Sequence, residues 1–244
     1  MSKRVAIVQS NYIPWKGYFD LINSVDEFIL FDDMQYTRRD WRNRNKIKTS
    51  AGAIWLTIPV QVKGKYFQAI KETSVSEPGW NEVHLKTLCA QYARASHFQT
   101  YRPWLEDTYH AATSGLLSEI NRHFLSRICD LLGIKTRMTT SMEYRIVEGK
   151  TERLVDLCRQ ADATHYVSGP AARDYIDPLL FEAAGINLSF YDYGEYPIYD
   201  QVHPPFDHFV SVLDLILNHG PDATRYMRTF TPSGSPGTPA TGPR

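Results

Sequence analysis

The chain has 244 residues, no formal net charge and a pI near 7.1, so it lacks the basic excess that broad nucleic-acid binding draws on. Hydrophobic residues make up 43% and charged residues 22%, which places it among ordinary globular proteins and against a disordered chain. No run approaches the roughly 18 apolar residues of a membrane-spanning helix.

Met1-Ser2-Lys3-Arg4 leads straight into a short strand-like run and not into the apolar core of a leader peptide. The three cysteines, Cys89, Cys129 and Cys158, form no C-x-x-C pair and no zinc spacing. Each lies beside apolar residues in helix-like sequence, which reads as reduced, buried thiols. A cytoplasmic location is the expectation.

Val5–Val8 reads as a buried strand ending in Gln9-Ser10-Asn11, residues 17–24 as a helix, and Phe28–Phe31 as a second buried strand closed by Asp32-Asp33. This order predicts a parallel βαβ unit. A strand over 54–60 is stopped or kinked at Pro59. The middle, about 76–133, turns helical: Trp80, His84, Leu88 and Tyr92 share one face, and Leu117, Ile120, Phe124, Ile128 and Leu131 another, with Gly133 as a stop. A helix over 151–161 precedes a strand at His165–Val167. A further helix from about Ala171 is broken by Pro178, 186–193 alternates like a strand, and a last helix spans about 207–218 with Phe209 among its apolar residues. The expectation is a single α/β domain over residues 1–230 with a helical subdomain. From Thr231 the Pro, Gly, Ser and Thr content predicts a disordered or adventitious tail.

Chemistry concentrates after the first strand. Gln9, Asn11, Tyr12, Trp15, Lys16 and Gly17 follow a buried strand and precede a helix, at the sheet edge where open parallel sheets bind ligands. The alternative is a βα loop shaped by Pro and Gly. Asp32 and Asp33 reach the same edge, as general bases for an amine or hydroxyl nucleophile or as partners of Arg38 and Arg39; Gln35 and Tyr36 follow. The run Arg42-Asn43-Arg44-Asn45-Lys46, with Trp41 beside it, supplies planar forks for a phosphate, or forms a solvated charged loop. His84, on an apolar face, is an acid–base candidate or a satisfied core residue. Ser168 and Gly169 follow another strand, and Tyr196 lies in an aromatic stretch that covers the pocket or packs beneath the last helix. No metal-ligand set is assigned.

The blocks Gln9–Phe19, Phe31–Tyr36, Trp41–Ile47, Trp80–Leu88, Tyr166–Gly169, Ser211–Leu215 and Asn218–Gly220 resemble, in order, those of the WbqC-like family. The resemblance implies a bacterial enzyme of surface-glycan or specialised-metabolite biosynthesis. Its implied reaction is transfer of an acyl or aminoacyl group onto an amine or amino sugar. The donor would be CoA or a carrier-protein phosphopantetheine thioester, which makes an acyl carrier protein a candidate partner. A weaker resemblance links Trp15–Ile22 and Val167–Arg173 to nucleotidylyltransferases of the adenylyl-binding α/β type. Trp15 and Tyr18 replace that group's two histidines, so the resemblance implies a nucleotidylyltransferase-like sheet and not its chemistry. A nucleotide-using transferase and a non-catalytic adaptor of glycan assembly or of a carrier protein stand as alternative functions.

Overall fold

A computed structural model describes residues 2–230; the tail expected from Thr231 lies outside them. The element order is β1 (Arg4–Val8), α1 (Lys16–Asn23), β2 (Glu27–Leu30), β3 (Arg44–Thr49), β4 (Gly52–Thr57), α2 (Trp80–Tyr92), α3 (Phe98–His110), α4 (Leu117–Leu132), β5 (Arg137–Thr140), α5 (Thr151–Gln160), β6 (His165–Ser168), α6 (Pro178–Ala183), β7 (Asn187–Phe190) and α7 (Val212–His219).

Five strands form a parallel sheet in the order β5-β2-β1-β6-β7. Counted along the chain within the sheet, this is the doubly wound order 3-2-1-4-5. Parallel strands bury both faces, and alternation along each strand divides the side chains between two cores. Ala6, Phe28 and Leu30 pack with α1, α4 and α7, including Phe19, Leu125, Ile128 and Ile216. Val5, Ile7, Ile29 and Phe31 pack with α5 and α6 through Leu154, Leu157, Cys158 and Phe181. Helices therefore cover both faces, which bears out the α/β parallel-sheet reading. Helix α2 joins the first core through Trp80, Leu85 and Leu88.

Several local expectations change. The basic run is a strand: β3 pairs antiparallel with β4, from Arg44↔Thr57 to Thr49↔Gly52. Asn43 just before it and Asn45 and Ile47 within it are buried while Arg44 and Lys46 are half-buried, a period of two over residues 43–47 that high charge concealed. Pro178 starts a helix instead of breaking one. It occupies the first turn, where no amide hydrogen is needed, and Asp177 caps the end by accepting from the Leu179 amide at 3.0 Å. Helix α7 begins after Ser211, later than expected, which frees Phe209 from the core. Helix α3 carries Pro103 in its interior, a residue that argues against a helix; buried Phe98, Leu105 and Tyr109 hold it in place. Among the described residues, no helix is long and apolar enough to cross a membrane.

Candidate functional site: an aromatic cleft at the carboxyl edge

The sheet order reverses direction between β1 and β6, and such a switch point opens a crevice beyond the strand ends. The β1–α1 connection crosses that edge. Asn11, Pro14 and Trp15 from it, with Trp41, Asn45 and Phe209, line a cavity of about 240 Å³. Trp41 and Phe209 are exposed and Trp15 is half-buried. Trp15 packs at 5.7 Å from Phe209, 5.3 Å from Tyr196 and 5.4 Å from Tyr193 between ring centres, so the wall is aromatic. Gly17 makes this wall possible: a Cβ there would stand 2.4 Å from the Trp15 indole.

Polar residues of the β3 region tie the connection down. Asn45 Nδ2 donates to the carbonyls of Tyr12 at 3.1 Å and Ile13 at 3.0 Å, the latter in a residue with φ of 35°. Arg42 Nη1 donates to Asn11 Oδ1 and lies 3.4 Å from the Gln9 carbonyl. Fully buried Asn121 donates to Ser10 Oγ and to the Arg42 carbonyl, each at 2.9 Å. The Ser10 amide donates to Asp32 Oδ1 at 2.9 Å. Burial raises the Asp32 pKa, opposed in part by the Ser10 hydrogen bonds and Arg42.

The candidate residues therefore separate. Gln9, Asn11, Asp32 and Arg42 form one connected network, and of these Asn11 lines the cavity. Asp33 turns away to an ion pair with Lys71 and a hydrogen bond from Ser141. Arg44 stacks over Trp55 at 4.0 Å, which lies 5.2 Å from Trp41, and spends Nη2 on the Arg39 carbonyl. Asn43 donates to the Ile58 carbonyl. Tyr12 and His84 are in the core: the Tyr12 hydroxyl meets His84 Nδ1 at 2.9 Å and the Tyr109 hydroxyl at 2.8 Å. Burial pushes the His84 pKa down to about 4.

Gln35 is exposed and donates to the Tyr66 carbonyl, while Tyr36 is buried. Ser168 is buried, and Gly169 beside it faces open space. Lys16 is buried behind Trp15. Its Nζ donates to the Pro197 carbonyl at 3.0 Å and lies over the rings of Tyr196 at 5.1 Å and Tyr199 at 4.7 Å. Burial lowers its pKa to about 8 against the pull of Asp20 and Asp214.

Pro14, Asn45 and Phe209 line the cleft without having been singled out as ligand contacts in the sequence. Ser211 was the signal for Phe209, because a serine cap places the helix start beyond it. A second, more open cavity of about 370 Å³, bordered by Arg94, His97, Asp200 and His219, contains none of the candidate residues. Among the described residues, no group of three His, Cys, Asp or Glu side chains could hold a metal ion.

The sequence model of the WbqC-like protein family matches residues 9–226, a span that contains the whole cleft. The chain belongs to the WbqC-like family. It is also 51% identical over 226 residues to an uncharacterised protein of Mycobacterium tuberculosis, Rv1507c, covering 93% of this chain and 98% of that one. No solved structure matches the chain. In this WbqC-like protein, the family match joins the connection after β1 to the β3–β4 hairpin that straps it.

Proposed function

We propose that this WbqC-like protein is a transferase that seats an amine-bearing ring, best an amino sugar, in the Trp15–Trp41–Phe209 cleft. The ring nitrogen substituent then receives an acyl or aminoacyl group from a CoA or carrier-phosphopantetheine thioester. The carrying observation is the cleft's composition: three aromatic walls with an asparagine amide at a sheet switch point. Aromatic faces cover the apolar side of a sugar ring, and a few fixed polar groups orient it. Asn11 Oδ1 is occupied by Arg42, and its Nδ2 donors are the groups this reading gives to the ligand. A volume of about 240 Å³ suits one ring.

In the reaction, the amine attacks the thioester carbonyl carbon. The C–N bond forms, the C–S bond breaks, a base takes the nitrogen's proton, and the thiolate is protonated as it leaves. Asp32 does not line the cleft: buried and bonded to the Ser10 amide, it positions the connection that carries Asn11, and water takes the proton in this reading. Asp33 is ion-paired and His84 is held in the core. Direct attack fits better than an acyl-cysteine relay, because burial pushes the thiols of Cys129 and Cys158 up to about 12. Cys89, half-buried, is also raised by burial. The setting would be surface-glycan or specialised-metabolite synthesis.

The 3-2-1-4-5 strand order also favours a second reading, a nucleotide-using transferase, since that order carries nucleotide sites in other proteins. Melting curves with a nucleotide-linked amino sugar, a CoA thioester and ATP separate the two, alongside mass spectrometry for amide product. The amino sugar should raise the melting temperature of the parent protein and not of Trp41→Ala, and product should form with the thioester. Stabilisation by ATP alone, without amide product, would replace the first reading with the second.

A further inference from the structure

The most exposed large apolar side chains among the described residues are adjacent: Phe67 at 84% and Tyr66 at 74%. They project from the connection between β4 and the helical middle, with ring centres 4.9 Å apart and planes at 88°. Exposed Lys63 and Lys65 share the same tip, and exposed Arg38 donates to the Val62 carbonyl at 2.9 Å. Arg39 is exposed next to it. No acidic residue occurs from Gln61 to Lys71. The base of the tip is closed: Gln68 Nε2 donates to the Gln61 carbonyl at 2.8 Å, and the Gln61 amide to the Ser74 carbonyl at 2.8 Å. The aromatic pair is thus presented on a fixed platform.

Exposing two neighbouring rings costs solvation that a partner surface would recover. The rings are exposed, and the charged groups beside them, Lys63, Lys65, Arg38 and Arg39, are all positive. Aromatic rings flanked by lysine and arginine are the combination that settles at the headgroup level of an anionic bilayer.

We propose that residues 62–67, with Arg38 and Arg39, form a peripheral anchor that seats this protein on an anionic lipid surface. Seated there, the chain holds its cleft beside the membrane. Gln35 Nε2 donates to the Tyr66 carbonyl at 2.8 Å and Arg38 to Val62, so the tip is bonded to the segment that carries Trp41. The matching ligand class is a lipid with an anionic headgroup, and a lipid-linked acceptor would reach the cleft most directly. The anchor does not depend on which ring the cleft binds.

The test is co-sedimentation of the full chain with vesicles of phosphatidylglycerol and phosphatidylcholine, against phosphatidylcholine alone. Binding should require the anionic lipid and fall on raising salt to about 0.5 M, where charges are screened beyond about 4 Å. Reversing one lysine should weaken partition about five-fold or more, and Lys63→Glu with Lys65→Glu should compound the loss. Tyr66→Ser with Phe67→Ser should weaken binding at unchanged melting temperature, since both side chains are exposed. Trp41→Ala should bind vesicles like the parent, which separates this inference from the proposed reaction. Absence of binding to anionic vesicles, or binding indifferent to all four substitutions, would overturn the proposal. Tip-dependent binding to an acidic carrier protein, with no vesicle binding, would overturn it in favour of a protein-docking surface.

Discussion

Tyr12 and His84 are joined in the core by a 2.9 Å hydrogen bond whose direction the surroundings set. His84 Nε2 lies 3.2 Å from the Thr57 carbonyl, which can only accept, so Nε2 carries the hydrogen and Nδ1 accepts from Tyr12. The Tyr12 oxygen then accepts from Tyr109 at 2.8 Å. Every group in this chain is satisfied while the imidazole is neutral.

Acid should therefore loosen the protein through His84. The folded pKa is pushed down to about 4 from 6.5, so between those values the unfolded chain holds a proton that the folded chain does not. Stability falls as pH drops through 6.5 toward 4, by up to about 3 kcal/mol from this residue. Urea unfolding at pH 7 and pH 5 checks this against His84→Gln. The variant should be weaker at pH 7 by about 1–3 kcal/mol, from groups left unpaired, and its loss on acidification should be smaller. Equal acid slopes in both proteins would remove His84 as the cause.

Neighbouring arginines should respond differently to truncation. Arg42→Ala removes the bonds to Asn11 and Gln9 that hold the connection after β1, at an expected cost of about 1–3 kcal/mol, together with ligand binding. Arg44→Ala removes a stack on half-exposed Trp55 and should cost about 0.5–1 kcal/mol. Chemical denaturation of both variants measures the difference.

Their roles also show what sequence could carry. Continuous burial in β1 and β2 follows from short apolar runs, so the parallel unit was legible. The β3 strand was not, because its inward Asn45 is polar and is buried to reach the Tyr12 and Ile13 carbonyls of the connection after β1, and Asn43 just before it is buried to reach the Ile58 carbonyl. Phe209 looked like a core residue by composition alone. Its place in the cleft depends on where Ser211 starts α7, a tertiary choice. His84 was legible as a residue type, while the identity of its partners, Tyr12 and Tyr109, was not.

Lys16 should give a pH dependence of the same sign as His84, in a more alkaline window. Burial lowers its pKa from 10.5 to about 8, so between those values the unfolded chain binds the extra proton and stability rises with pH. Below about 8 the buried ammonium is charged in both states and its desolvation cost is fully present. Lys16→Met should flatten the rise in melting temperature between pH 8 and pH 10. A variant that retains the parent's pH profile would assign the rise to other groups.

The cleft itself is tested most directly by titrating tryptophan emission with a nucleotide-linked amino sugar, in the parent and in Phe209→Ala. Trp15 and Trp41 line the cavity, so an occupied cleft changes their surroundings. Phe209 is 61% exposed, so its truncation should leave the melting temperature in place. Emission should change saturably in the parent, with binding at least ten-fold weaker in the variant, about 1.4 kcal/mol for one lost aromatic wall. Saturable binding with the same Kd in both proteins would contradict it and place the ligand elsewhere.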